Sequence, residues 1–520
     1  MTVDINPASA VARNARYFAE SVALTYAGGD LTYEELDDRA GRLSSVLVDG
    51  GTGVGDRVAY LGLNSSSFLI TMLAAFRVAA IFVPVNFRLA GPELQQVLQR
   101  SGATTLVAEE GHRAAVEAIK DKLSIKRLLL VDDDLACPAA AETSGWERWA
   151  TLLERAKALP TIAPGSYDDP AILMFTSGTT GLPKGVILTY GNVWWNAINV
   201  ETRLDTHRRD VTHASAPMFH IGALNSFVLR TLMRGGTVVV RRGFDPAGFA
   251  DDVANLKVNS TFLVPAMLGA LARTAGAFER DYSSLNALVV AGAPVPPSLI
   301  SHFADHGVLL QQAWGLTETA PFATHLPAEL TFQKLGSAGI PMPHTEIDVV
   351  DPLTLESVPA GTAGEVIVRG PNVTPGYWED PEATSAAFDA EGWFHSGDIG
   401  YLDKDGFLYV VDRLKDMIIS GGENVYPAEV ERALSDMDGV TDVAIIGAPD
   451  DEWGETVVAV VSLAAGAEVT INDVRAHAAA RIARYKIPRQ LVVVESVPRN
   501  ASGKLDKLAL RGVVGKHDSP

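Results

Sequence analysis

Cysteine is almost absent from this 520-residue chain, Cys137 being the only one. A disulfide framework within the chain and a thiolate metal cluster are thereby excluded, and Cys137 is expected to pack as a small hydrophobe. Basic residues are in deficit: 43 Lys and Arg stand against 63 Asp and Glu, a formal net charge of −20. That balance argues for solubility and against a general affinity for nucleic acid or anionic lipid, so an anionic ligand would need local basic pockets. Long apolar runs are missing too. The longest stretch, from Phe68 to Val83, contains Arg77 and is too short to span a bilayer. The opening residues Met1-Thr2-Val3-Asp4-Ile5-Asn6-Pro7 carry neither the basic nor the apolar region of an export signal, and a cytoplasmic location is expected. Neither an internal repeat nor a low-complexity tract is visible.

What is present suits a soluble enzyme of more than one domain, since one hydrophobic core rarely serves a chain of this length. Thr32 and Glu35 have capping-box spacing, and Leu36, Ala40, Leu43 and Leu47 then recur on one helical face. Arg57 to Leu61 reads as a strand, Phe68 to Ala79 as a helix and Ile81 to Val85 as a strand. This order predicts an α/β body with mainly parallel sheets. Residues 135–170, rich in Ala, Pro and Glu, read as a surface connection with one short helix. Near Asp412 to Asp416 the pattern changes. Strands at Val443–Ile446 and Val457–Val461, a helix around Ile471 to Arg484 and a strand at Leu491–Val494 predict a small α+β domain of about 100 residues. The expected division is residues 1–413 and residues 414–520, the alternative being one continuous fold.

The most informative stretch is Thr176-Ser177-Gly178-Thr179-Thr180-Gly181-Leu182-Pro183-Lys184-Gly185, after the strand-like Ala171-Ile172-Leu173-Met174-Phe175. It combines hydroxyl donors, glycines that let backbone N–H groups approach an anion, and one lysine charge, which is what holding a polyphosphate takes. It is not a Walker A loop: Pro183 stands where the second glycine should be, and Gly185 follows the lysine in place of Ser or Thr. A bare Thr/Gly-rich stretch reads as a solvated turn. In this order, the stretch resembles the phosphate loop of the adenylate-forming enzymes, the superfamily of acyl-CoA synthetases, luciferases and nonribosomal adenylation domains.

Further stretches resemble motifs of the same superfamily, in the same order. Pro217-Met218-Phe219-His220-Ile221-Gly222 resembles the motif that sets a histidine beside the acyl carboxylate; alone, His220 would read as a core residue. Ala291-Gly292-Ala293-Pro294 resembles the turn packed on adenine. Gln312-Ala313-Trp314-Gly315-Leu316-Thr317-Glu318 resembles the aromatic-Gly-x-Thr-Glu motif. That likeness implies adenine stacking by Trp314, where most members carry Tyr, an α-phosphate contact from Thr317 and a Mg²⁺ ligand in Glu318. Ser396-Gly397-Asp398 and Asp412-Arg413-Leu414-Lys415-Asp416 resemble the ribose-binding pair and the hinge. An ionised Asp398 can accept from both ribose hydroxyls, beside the fixed fork of Arg413. Ile419-Ser420-Gly421-Gly422-Glu423-Asn424-Val425-Tyr426-Pro427 resembles the loop that turns inward for thioester formation, and Asn500-Ala501-Ser502-Gly503-Lys504 resembles the segment bearing the catalytic lysine.

The resemblance implies two half-reactions on ATP, Mg²⁺ and coenzyme A. Attack of a carboxylate on the α-phosphate yields an acyl-adenylate and pyrophosphate, and the CoA thiol then expels AMP. Thr176, Thr179 and Lys184 would hold the β- and γ-phosphates, Mg²⁺ would sit near Thr176 and Glu318, and Lys504 would bridge carboxylate and α-phosphate. A mobile C-terminal lid pivoting near Lys415 would then withdraw Lys504 and bring in Gly421-Gly422. By analogy with plant hydroxycinnamate ligases and bacterial fatty acyl-CoA synthetases, the acyl pocket would be walled by Gly222, Ser226, Val264, Ala266, Gly292, Gly315 and Phe322. These are small or apolar, with no cation for a dicarboxylate. Gly222 leaves space where hydroxyaryl-specific ligases often carry tyrosine, so a medium- or long-chain fatty acid is expected, with an aryl or cinnamic acid as the alternative. Transfer to a carrier protein and arrest at the adenylate are rivals. A nucleotide sensor that has lost catalysis should lack Lys504 or Glu318; both are present. Expected partners are the acid, ATP and CoA, with neither nucleic acid nor a transmembrane segment, and a homodimer is an open alternative.

Overall fold

A computed structural model describes residues 3–132, 145–177, 183–413, 416–420, 423–450, 454–479, 481–482, 484–499 and 505–517. Cys137 lies outside them. Local rules shape the first elements. The Thr32 hydroxyl accepts from Glu35 N–H at 3.2 Å while the Glu35 carboxylate accepts from Thr32 N–H at 2.8 Å, opening the helix Tyr33–Asp49. The next helix runs Ser66–Arg77, starting ahead of the expected Phe68 because the Ser65 side chain accepts from Phe68 N–H. It stops before Ala79, whose φ of 53° is left-handed. That helix is buried on all sides, and among the described residues no helix is long and apolar enough to cross a membrane.

The chain divides into two compact units, Met1–Ile347 with Val368–Phe394, and Asp348–Ile367 with His395–Pro520. The first is built on two sheets. In one, seven described strands run in the order Glu147–Arg148, Arg127–Val131, Thr105–Glu109, Arg57–Leu61, Ile81–Val85, Pro170–Ser177 and Pro183–Thr189. All neighbours pair parallel except the last two. Val58, Tyr60 and Phe82 join one apolar cluster, whereas Ala59, Leu61 and Val83 join the other. Both faces are therefore covered, as a parallel sheet requires.

The second sheet carries nine described strands: Ile340–Pro341, Phe322–Leu326, Gln311–Gly315, Ala287–Val290, Ser260–Leu263, Val211–Ala214, Thr237–Val240, Val22–Tyr26 and Gly29–Thr32. Its middle is parallel and its ends antiparallel.

In the second unit, Phe394–Leu402 pairs antiparallel with Leu408–Arg413. The Asp412 carboxylate at the end of this pair accepts from Ala428 N–H at 2.7 Å. The expected boundary at residue 413 thus falls inside this unit, because strand pairing and that bond tie residues 395–413 to the helix Pro427–Leu434. Val440–Asp450 pairs antiparallel with Gly454–Leu463, and Gln490–Val494 joins the latter in parallel. The helix Ile471–Ala479 ends short of the expected Arg484, which begins a separate 3₁₀ turn, Arg484–Lys486.

Glu431, on the helix Pro427–Leu434, accepts from Ile445 N–H at 2.9 Å. Burial pushes its carboxyl up to about 7; the Lys507 charge opposes this and the charges of Asp412 and Asp416 add to it. An acid raised on folding costs nothing below its unfolded value of about 4.3, costs increasingly through that window, and costs most above its folded value. Glu431→Gln should therefore raise the thermal midpoint more at pH 8 than at pH 5. Equal shifts at both pH values in a melting series would contradict the raised value.

Candidate active site

Four neighbouring strands of the nine-stranded sheet, Val211–Ala214, Ser260–Leu263, Ala287–Val290 and Gln311–Gly315, run parallel and end side by side. Each leads into a stretch singled out from the sequence: residues 217–222, 264–266, 291–294 and 314–318. Ligands of open α/β sheets bind beyond the carboxyl ends of such strands. The fold therefore brings His220, Gly222, Val264, Ala266, Gly292, Ala293, Pro294, Gly315, Thr317 and Glu318 to one sheet edge.

His220 is exposed, and its ring lies 4.3 Å from that of Phe219. The loop before it is tied down by buried Asn64, which donates to the Ala216 carbonyl and accepts from Met218 N–H, both at 2.8 Å. Gln312, Ala313 and Trp314 are buried in their strand. Gly315 has to be glycine, because a Cβ there would run into the Pro321 carbonyl. Gly292 adopts φ +89°, with Ala293 and Pro294 exposed after it.

The expected acyl wall differs in detail. The space over Gly222 is already taken: a Cβ on Gly222 would lie 2.8 Å from the Phe262 ring. Phe262 in turn lies 6.5 Å, centroid to centroid, from buried Phe322. Ser226 is fully buried and donates its hydroxyl to the Gly222 carbonyl one turn back. Its proton is committed to the helix. Val264 is half-buried and Ala266 exposed.

The stretch expected to bind an anion begins and ends in a pair of antiparallel strands, Pro170–Ser177 and Pro183–Thr189, with Thr176 opposite Lys184. Gly178, Thr179, Thr180 and Gly181 lie outside the described residues. The Lys184 ammonium sits 4.9 Å from the centre of the Tyr377 ring, and the Tyr377 hydroxyl donates to Glu318 Oε1 at 3.0 Å. Tyr377 therefore touches both Lys184 and Glu318, the lysine expected to hold phosphate and the carboxylate expected to hold Mg²⁺. Burial, with the Glu318 charge next, pushes the Tyr377 hydroxyl far above the usual tyrosine range, so it stays a donor at neutral pH.

Sequence reading missed Tyr377. Its signal was there in Pro375-Gly376-Tyr377-Trp378, a Pro-Gly turn with two aromatics in a chain only 7% aromatic. Backbone bonds place it: Ile187 N–H to the Gly376 carbonyl at 3.1 Å, and Trp378 N–H to the Gly185 carbonyl at 2.7 Å. Thr374 completes the junction, its hydroxyl donating to the Ile187 carbonyl at 2.6 Å and its N–H to the Glu318 carbonyl at 2.7 Å.

A second missed feature is a set of buried amides on the helix Tyr190–Arg203. Asn192 donates to the carbonyls of Pro371 (3.0 Å) and Val373 (2.8 Å). Asn196 donates to the Asn225 carbonyl, and the Asn225 side chain donates to the Ala320 carbonyl, each at 2.6 Å. Asn199 bonds Thr345, Thr345 bonds Asn372, and Asn372 donates to the carbonyls of Thr319 (2.8 Å) and Phe322 (3.1 Å). The turn that carries Glu318 is held from both sides.

Within the second unit, Asp398 is buried and stands opposite Arg413 in the sheet register. Its N–H donates to Ser396 Oγ at 3.0 Å, and Gly397 beside it has φ +67°. The Arg413 side chain, Lys415, Gly421, Gly422 and Lys504 lie outside the described residues. For a metal, the Glu318 carboxylate and Thr176 hydroxyl are hard oxygen donors. Few in number, they fit Mg²⁺, which takes most of its ligands from phosphates and water.

A family model described as AMP-binding enzyme matches residues 11–378, and one described as AMP-binding enzyme C-terminal domain matches residues 429–504. A feruloyl-CoA synthase of Amycolatopsis sp is 42% identical, over 96% of this chain and 97% of that protein. The long-chain-fatty-acid–CoA ligase FadD13 of Mycobacterium tuberculosis is 36% identical, over 92% of each. Among solved structures, the o-succinylbenzoate coenzyme A synthetase (MenE) from Bacillus subtilis in complex with ATP and magnesium ion matches with a TM-score of 0.84. It is 30% identical, over 95% of this chain and 98% of that one. Matches of this extent make the chain a member of the AMP-binding enzyme family, within the adenylate-forming superfamily that its motifs resemble.

Proposed function

We propose that the chain is an AMP-forming acid–CoA ligase whose acid is an aryl or arylpropenoic carboxylate. The observation that carries the reading is the junction of Lys184, Tyr377 and Glu318 beside the carboxyl ends of the parallel strands. A cation and an oriented carboxylate, both fixed before substrate arrives, suit a reaction in which two anions must meet. Feruloyl-CoA synthase and MenE are named for acids that carry a ring, and Phe262, backed by buried Phe322, supplies an aromatic wall beside Gly222. A medium- or long-chain fatty acid is the second reading, favoured by the likeness to FadD13.

In the first half-reaction a carboxylate oxygen attacks the α-phosphorus and pyrophosphate departs. Lys184 and the hydroxyls of Thr176 and Thr179 hold the departing phosphates, and Lys504 covers the charge gathering between carboxylate and α-phosphate. When bound, Mg²⁺ supplies neutralising charge on the phosphate oxygens, and Glu318 and Thr176 would hold it. His220 borders the carboxylate, Trp314 the adenine and Asp398 the ribose. In the second half-reaction the CoA thiol, losing its proton, attacks the acyl carbonyl, and the bond to AMP breaks. Rotation about Lys415 exchanges Lys504 for the Gly421-Gly422 loop between the two.

Pyrophosphate release over cinnamates, benzoates, straight-chain acids and dicarboxylates, with and without CoA, tests the assignment. The ring-bearing acids should give the highest kcat/KM, and thioester should form only with CoA. A straight-chain acid that outperforms every aryl acid would favour the second reading. Lys504→Ala should slow adenylation by about 10²–10³ yet leave thioester formation from synthetic acyl-adenylate nearly unchanged; equal losses in both would contradict the moving lid. Tyr377→Phe keeps the ring against Lys184 but deletes the bond to Glu318. The Mg²⁺ concentration for half-maximal adenylation should then rise about 10-fold, in the range for lost outer-shell partners. An unchanged Mg²⁺ titration would show that Tyr377 does not orient Glu318.

A further inference from the structure

The geometry points to a second ligand site, at the start of the helix Tyr190–Arg203, that takes a small alkylated ammonium cation: Tyr167 and Trp195 supply the ring faces and Asp168 the opposite charge. The ligase reading uses none of these three residues, and the inference does not depend on it. A pocket of about 270 Å³ opens there, and Tyr167, Asp168 and Trp195 line it together with Pro371, Val373 and Pro375. Of the two adjacent tryptophans, Trp194 packs against a buried apolar cluster, whereas Trp195 joins none. The rings beside Trp195 are those of Tyr167, 6.4 Å away between centroids and 33° from parallel, and of His344, 5.0 Å away. Tyr167 is exposed. Core packing therefore accounts for neither ring. At that separation one cation can lie within about 6 Å of both centroids, the reach of a cation–π contact.

The pocket is built before any ligand arrives. Gly191 N–H donates to the Tyr167 carbonyl and Tyr190 N–H to the Asp169 carbonyl, each at 3.0 Å. A Cβ on Gly191 would run into the Tyr167 carbonyl, so glycine is what lets this turn lie against the helix. The Asn192 amide, donating to the carbonyls of Pro371 and Val373, pins the opposing segment to the same helix.

Those bonds also decide the class of ligand. The Asn192 amide is spent on them, and its oxygen accepts from Thr189 N–H at 2.9 Å. What remains for a guest is a carboxylate, two ring faces and the apolar surfaces of two prolines and a valine. Among the described residues lining the pocket there is neither Lys nor Arg, so an anion would meet only the Asp168 charge. A primary ammonium is a compact, strongly hydrated charge that needs several acceptors. An ammonium whose N–H groups are replaced by methyls needs no directional partner, and its methyls can pack on Pro371, Val373 and Pro375. Aromatic faces recognise cations of that kind. The volume lies just under the range of about 300–1,000 Å³ typical of drug-sized ligands, which suits a free cation the size of choline.

Calorimetric titration of the full-length protein with choline, with its uncharged carbon isostere dimethylbutanol and with ethanolamine tests the assignment. Choline should bind, and the other two should bind at least about 10-fold more weakly, one lacking the charge and the other the methyls. Trp195→Leu and Tyr167→Leu should each weaken choline about 2- to 30-fold. Asp168→Asn should weaken it about 2- to 5-fold, as expected for an exposed charge pair. A melting curve for each variant checks that the fold is kept, and Asp168→Asn, on an exposed turn, leaves the packing of both rings in place. Equal affinity for choline and dimethylbutanol would make the pocket merely apolar, and tighter binding of ethanolamine would mean that the carboxylate alone holds the cation. A choline affinity unchanged by all three substitutions would put the binding elsewhere. Each of these outcomes, like the absence of choline binding, overturns the inference.

Discussion

A buried carbonyl group must find a donor, and around the Glu318 turn the regular strand ladder is interrupted. The chain leaves its strand at Gly315, makes a 3₁₀ turn over Thr317–Thr319 and re-enters the sheet at Phe322. The carbonyls of Thr319, Ala320 and Phe322 accept instead from the side-chain amides of Asn372 and Asn225. The helix Tyr190–Arg203 backs both residues: Asn196 donates to the Asn225 backbone carbonyl, and Asn199 reaches the Asn372 amide through Thr345. Each bond contributes about 1 kcal/mol net, but stripping a donor from a buried carbonyl costs about 1–3 kcal/mol. The geometry of the carboxylate thus depends on amides from a helix far away in sequence.

Tyr377 uses that fixed turn. Its backbone extends the edge of the strand Pro183–Thr189, its ring faces Lys184 and its hydroxyl reaches Glu318. A neutral donor is suited to this position. A cation there would compete for the carboxylate, whereas the phenol orients Glu318 and leaves its charge intact. Thr374, bonded to both Ile187 and Glu318, keeps the two segments in register. Preorganisation of this kind spares the reaction the cost of arranging charges at the moment of phosphoryl attack.

Substrate choice sits elsewhere. Relatives that share this frame over nearly their whole length are named for ferulate and for long-chain fatty acids. A fold hosts many substrates through the side chains at its site, and the residues expected to wall the acyl pocket here are on strand ends and on the short helices after them. Gly222 and Ser226 show why small residues mislead when read alone. One is small because a phenylalanine occupies its volume, the other because its hydroxyl closes a helical turn.

The sequence by itself determined what depends on neighbours in the chain: the capping box at Thr32, the alternating strands of the parallel sheet and the spacing of the motifs. The hydroxyls, glycines and lysine of residues 176–185 lead to the expectation of anion binding, because that chemistry needs them within one short loop. Only the tertiary structure decided what depends on contacts between distant segments. Tyr377 meets Glu318 across 59 positions, Asn372 meets Thr319 across 53, and strand pairing draws residues 395–413 into the second unit. Such contacts leave no periodicity in the chain, since a hydrogen bond or a ring contact specifies its partner by position in space and not by separation along the backbone.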